Sequence, residues 1–98
     1  MESNFKGTKG PWEIGDENNS SCDVSLPNGS DISLSRYERN TGDFVMEREE
    51  MRANMYLIAA APLLLEALQN CISHVSDFYP EYKQAKHAIN AALGIKGE

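Results

Sequence analysis

The stretch Ala53–Gln69 constrains this chain more than any other. It is the longest apolar run in the 98 residues, with Ala at 53, 59, 60, 61 and 67 and Leu at 57, 63, 64, 65 and 68. These are strong helix formers. Only Ile58 is β-branched between Ala53 and Leu68, which disfavours a strand. Pro62 interrupts the run: it has no N–H and its ring meets the carbonyl four residues back. Two outcomes are open, one kinked helix or two helices with Pro62 at the first position of the second. Ala61 has no side-chain acceptor for an N-cap, which favours a kink or a tight junction. The uncharged part, Ala53 to Leu65, is 13 residues long. A bilayer span needs roughly 20, so the run is expected in a protein core and not in a membrane.

The residues before the run alternate as strands do. Trp12 and Ile14 share one face of a short strand, and Gly15 to Ser21 reads as a loop without apolar residues. Cys22, Val24 and Leu26 point one way, Pro27-Asn28-Gly29-Ser30 is a turn, and Ile32 and Leu34 resume the alternation. Residues 12–37 are therefore expected as a three-stranded antiparallel β-meander with one apolar face. A hairpin alone is marginal in water and needs a layer to rest on. The helical part, residues 44–93, supplies it. Asp43 is the expected N-cap, and Met51, Met55, Ile58 and Ala59 lie on one helix face.

After Pro62, positions 64/65, 68, 72, 75 and 79 follow the helical period. Pro80 opens a last helix with an inner stripe of Tyr82, Ala85, Ala88, Ile89, Ala92 and Leu93, closed by Gly94. Residues 62–79 and 80–93 should form an αα-hairpin. The fold class is α+β in one domain over 1–98, with 1–10 flexible. Trp12 is read as the plug between sheet and helices, with an interface anchor as its alternative.

Three segments carry a resemblance. Gly10-Pro11-Trp12, the run Ala53-Asn54 with Leu57-Ile58-Ala59-Ala60-Ala61-Pro62 and Leu64-Leu65-Glu66-Ala67-Leu68, and the Ala-rich end from Ala85 to Gly94 stand in this order. Together they resemble the small tailed-bacteriophage and prophage proteins that begin with Gly-Pro-Trp and contain "ANA-x-LIAAAP-x-LLEAL". Leu63 departs from that pattern, whose residue after the proline is usually acidic. The resemblance implies a phage origin and action in the host bacterial cytoplasm; it implies no particular chemistry.

Charge narrows the function. Residues 1–50 hold 11 acidic and 5 basic side chains, and residues 51–98 hold 4 of each, so the net −6 lies entirely in the first half. That disfavours direct nucleic-acid binding and suits a basic protein partner. Asp16, Glu17, Asp23 and Asp31 are the candidate partner surface. Arg36, Arg39, Arg48 and Arg52 gather near the sheet–helix junction and are the candidate anion site. They support an alternative, an oligomeric binder of a small nucleotide signal that counters host defence.

Cys22, Cys71, His74 and His87 are the soft and imidazole metal ligands, and they lack the paired spacing of a zinc motif. Cys71 and His74, three apart, could share a helix face. No nucleophile motif or phosphate loop is present, so neither an enzyme, a metal nor a cofactor is expected. Two cysteines without an apolar leader suit a reducing compartment. The leading expectation is a non-enzymatic phage accessory protein that binds a host protein to inhibit or redirect it. The Ala- and Leu-rich helices favour homo-oligomers.

Overall fold

The computed structural model describes residues 5–95, in the order β1 (Glu13–Glu17), β2 (Ser21–Ser25), β3 (Asp31–Ser35), α1 (Arg48–Ile72) and α2 (Pro80–Leu93). The strands form one antiparallel sheet in the order β1-β2-β3, followed by the helices, so the α+β expectation holds. Residues 1–4 of the expected flexible segment lie outside the described residues. Thr8 within that segment accepts the Trp12 indole N–H at 3.0 Å and the Asn28 side-chain N–H at 3.2 Å.

Thr8–Pro62 is one compact unit; residues 63–95, with 5–7, are another. The first is organised by four fully buried side chains, Cys22 and Val24 from β2 and Met51 and Met55 from α1. Trp12, Leu26, Ile32, Leu34, Met46, Ile58 and Ala59 pack around them, with Trp12 in its expected place against the core. The β2–β3 hairpin closes as its turn residues demand. Leu26 donates to the Ser30 carbonyl at 2.9 Å, Gly29 takes φ 92°, and the Asn28 carboxamide accepts from the Ser30 amide.

The sheet differs from expectation in β1, which runs through Gly15 to Glu17 where a loop was expected. The register shows why. Ile14 faces Val24 but Glu17 faces Cys22, so β1 carries one residue more than β2 over this stretch. That is a β-bulge, and it lets a segment without apolar residues stay paired.

Helix α1 starts at Arg48, not after Asp43. Residues 36–45 fold back first: Val45 donates to the Arg36 carbonyl at 2.8 Å, Glu38 donates to Asp43 at 2.7 Å, and Tyr37 bridges to Phe44 with their rings stacked 4.4 Å apart. Gly42, at φ 76°, makes the bend. The first helical bond is Met51 N–H to the Glu47 carbonyl, and Glu49 and Glu50 occupy the positive end of the helix.

The helix then continues without a break through Pro62 to Ile72. Pro62 sits among the partly buried positions, and a Cβ placed on Gly10 would lie 3.1 Å from the Pro62 Cβ. The Gly-Pro-Trp segment and the proline of the apolar run thus meet. The inward line is 51, 55, 58, 62, 65, 69 and 72, alternating steps of four and three, and it includes buried Gln69. Of the expected pair 64/65 the inward line set by Met51 and Met55 takes Leu65 and leaves Leu64 exposed, and Val75 and Tyr79 are exposed because the helix has ended before them.

In the second unit α1 ends at Ile72, earlier than the Asp77–Tyr79 expected. The Ser73 hydroxyl donates to Asn70 O at 2.7 Å and the His74 amide to Cys71 O at 3.0 Å, turning the chain. Helix α2 starts with Pro80 at its first turn and buries Ile89, with Tyr82, Ala85 and Leu93 half-buried; Ala88 and Ala92 are exposed. It ends at Gly94 (φ 74°), where Gly94 donates to Ala91 and Ile95 to Asn90, a Schellman cap.

Met55→Ala, which empties the centre of the first unit, should lower its unfolding free energy by about 2–5 kcal/mol in urea titration.

Candidate functional site

The outer sheet face follows from the strand register. Directly opposed residues point to the same side, and the side of Cys22 and Val24 is buried. Glu13, Ser25 and Asp31 therefore form one outward row across all three strands, Asp23 and Ser33 form the next, and Ser21 and Ser35 the third. Gly15 completes the face: a Cβ there would stand 2.8 Å from the Ser25 hydroxyl. Three carboxylates and four hydroxyls share this surface, and none of the strand residues on it is basic. At ~4.8 Å between strands, Glu13 and Asp31 are about 10 Å apart, near the screening length of physiological salt. A basic partner surface meets the three charges as one field.

Of the four acids picked from sequence, Asp23 and Asp31 belong to this face and Asp16 is exposed at the bulge. Glu13 belongs too and was missed, because its row is visible only once the strand pairing is known.

Glu17 does not belong. A one-residue slip reverses the side of every later side chain, so the bulge puts Glu17 opposite Cys22, on the helix side. There its carboxylate accepts from Arg52 Nε at 2.7 Å and Arg48 Nε at 3.2 Å. The Arg52 hydrogen bond, with that of Arg48 adding to it against partial desolvation, holds the Glu17 carboxyl below its ordinary range. Glu17 and burial also act on Cys22: burial foremost, then the negative charges of Glu17 and Asp23, push its thiol up. Cys22 is a core side chain and a poor nucleophile.

The four arginines of the candidate anion site fall into three settings. Arg48 and Arg52 share Glu17, so an anion there competes with a carboxylate. Arg36 is only 9 % exposed and donates to the Met46 carbonyl at 3.0 Å and to the Asn19 carbonyl, with its guanidinium 4.2 Å from the Phe44 ring centre. It clamps the 18–21 turn and the 38–47 segment to the end of β3. Arg39 is exposed on the 38–43 turn, where the Glu38 carboxylate accepts the Asn40 and Thr41 amides. Those backbone bonds, Asn40 first, pull the Glu38 carboxyl down.

Among the described residues, no group of three or more His, Cys, Asp or Glu side chains could hold a metal ion. Cys71 lies at the end of α1 and His74 in the turn beyond it, so the two do not share a helix face. His87 lies on α2 and, with Tyr82, Lys83, Lys86, Asn90 and Ile95, lines an open groove of about 550 Å³.

One question from the sequence changes with helix length. α1, at 25 residues and with a mean hydropathy of 1.5 over its best 18-residue window, is long and apolar enough to cross a membrane. Counting only Ala53 to Leu65 undersized it, because the helix runs past Pro62 and Glu66. Its Met51 and Met55 are packed under the sheet, while only 11 % of that window is buried within the protein.

A family model described as Salmonella phage P22 protein Y8K6 matches residues 1–96. No curated protein matches the chain, and no solved structure does.

The ion pairs give a pH signature. Because the folded Glu17 carboxyl titrates below its ordinary value, its contribution to stability is complete above that value and is lost as pH falls through the folded one. Glu17→Gln should therefore be less stable than wild type at neutral pH and converge with it as acidification carries the pH below the folded Glu17 value, measured by urea midpoints at low salt. Arg36→Ala, which orphans two carbonyls, should cost about 1–3 kcal/mol at every pH in the same titration.

Proposed function

The chain belongs to the family of Salmonella phage P22 protein Y8K6, and on that premise we propose that it is a non-enzymatic phage accessory protein that binds a host protein to inhibit or redirect it. The observation that carries this reading is the outer sheet face, where Glu13, Asp23 and Asp31 stand among serines and, among the described residues, form no ion pair. Such a face is well solvated in the free protein and gains from a partner that supplies Lys and Arg. The hydrogen-bonded sheet holds the carboxylates in a fixed pattern, so little ordering is lost on binding. A host protein whose own basic surface normally meets nucleic acid fits that chemistry. The site of action under this reading is the host bacterial cytoplasm.

The anion-binding alternative has less support, since Arg36, Arg48 and Arg52 already hold partners within the chain. The two readings separate in one measurement, native mass spectrometry of tagged protein recovered from infected-host lysate. A host protein in complex is the expected result, and an added mass of a few hundred daltons in its place would favour the nucleotide reading. The triple reversal Glu13→Lys, Asp23→Lys, Asp31→Lys should then weaken capture of that host protein by about tenfold or more at low salt. Unchanged capture would remove the acidic face from the interaction.

A further inference from the structure

Helix α1 has two apolar seams on opposite sides. One is the inward line through Met51 and Met55. The other runs Ala53, Leu57, Ala60, Leu64, Ala67 and Cys71, also in alternating steps of four and three; all but half-buried Ala60 are exposed, Leu57 at 63 % and Leu64 at 51 %, and Cys71 also lines a groove against α2. The positions flanking it are uncharged as well, with Tyr56 (65 %), Leu63 (68 %) and Asn70 on one side and Asn54, Ala61 and Leu68 on the other. Glu66, the one charged residue from Ala53 to Ile72, projects away from the seam. Steps averaging 3.5 residues are the spacing at which one helix keeps a seam against another.

We propose that this seam is covered by the same seam of a second copy, the two α1 helices packing antiparallel about a two-fold axis between Ala60 and Leu64. The proposal does not rest on the host-protein reading. Three observations select this occupant. First, the seam is complementary to itself in the antiparallel sense alone. Leu57 then meets Ala67 of the other copy, Ala60 meets Leu64, and Ala53 meets Cys71, so each large side chain faces a small one. A parallel pair would set Leu on Leu and Ala on Ala, leaving layers of unequal width.

Second, charge agrees. A chain of net charge −6 meets its own copy most readily where it carries little acid, and α1 itself puts no charge on this face from Ala53 to Cys71, with Glu81 of α2 near the Cys71 end. Antiparallel packing also keeps Glu49 and Glu50 of the two copies at opposite ends, where a parallel pair would bring four carboxylates together. Third, the area suffices. Tyr56, Leu57, Leu63 and Leu64, with the alanines between them, offer on the order of 500 Å² per protomer. The pair then buries about 1,000 Å², the lower edge for a specific interface. Micromolar dissociation is the corresponding expectation.

The test combines hydrodynamics with a cysteine probe. Sedimentation of the wild-type chain up to about 200 µM should show a reversible dimer, and Leu64→Glu should weaken it about 100-fold, because the charge enters the interface twice. Leu64 is half-exposed in the protomer, so circular dichroism of that variant should match wild type. Ala53→Cys should form a disulfide-linked dimer through Cys71 of the other copy with oxidised glutathione, and Ala53→Cys with Cys71→Ser should not. The wild type, with its two Cys71 residues at opposite ends and Cys22 buried, should not cross-link. A wild-type chain that stays monomeric at 200 µM would overturn the proposal, as would one that floats with phosphatidylethanolamine–phosphatidylglycerol vesicles as a monomer. Cross-linking of the wild type through Cys71 would overturn the antiparallel arrangement.

Discussion

Two methionines of α1 against a cysteine and a valine of β2 hold this protein in its shape. Met51, Met55, Cys22 and Val24 are the side chains almost wholly removed from solvent among the described residues. The sheet has three short strands, and such a sheet is stable only with one face covered. Met51 and Met55 cover it, and their one-turn spacing fixes which side of α1 looks inward. From that follow the inward line through Pro62 and the position of the second, outward seam. The flexible thioethers suit an interface between a twisted sheet and a helix, where side chains must fill an irregular gap.

Charge is distributed by a single extra residue. The bulge at Gly15 and Asp16 turns Glu17 under the sheet margin, where it joins β1 to Arg48 and Arg52 at the start of α1. Exposed ion pairs of this kind contribute little energy singly, but a carboxylate shared by two arginines fixes orientation. The same bulge leaves Glu13, Asp23 and Asp31 as an uncompensated outer set. One local irregularity thus divides the acidic half of the chain into a structural acid and a presented surface. Arg36 performs a comparable task at the other end of the sheet, holding two turns through carbonyl oxygens and an aromatic face.

The protein therefore presents two unlike surfaces. The outer sheet face is acidic, hydroxyl-rich and rigid. The outer helix face is apolar, self-complementary and free of charge. The first suits an electrostatically steered encounter with a basic partner, and the second suits pairing of like helices.

By itself the sequence determined the α+β order, the hairpin at Pro27–Ser30, the methionine face of α1, and the ends of α2 at Pro80 and Gly94. Each is written in local chemistry: alternation of period two, a turn that tolerates positive φ, a period of 3.6, a proline start and a glycine stop. The tertiary structure alone decided the rest. Pro62 stays inside one helix, on the inward line that Met51 and Met55 set, whereas local rules allowed a break. Asp43 does not cap α1 because pairing of Tyr37 with Phe44 claims that segment first. Glu17 leaves the acidic face and Glu13 enters it because side depends on register, and register is a relation between strands that no single strand encodes.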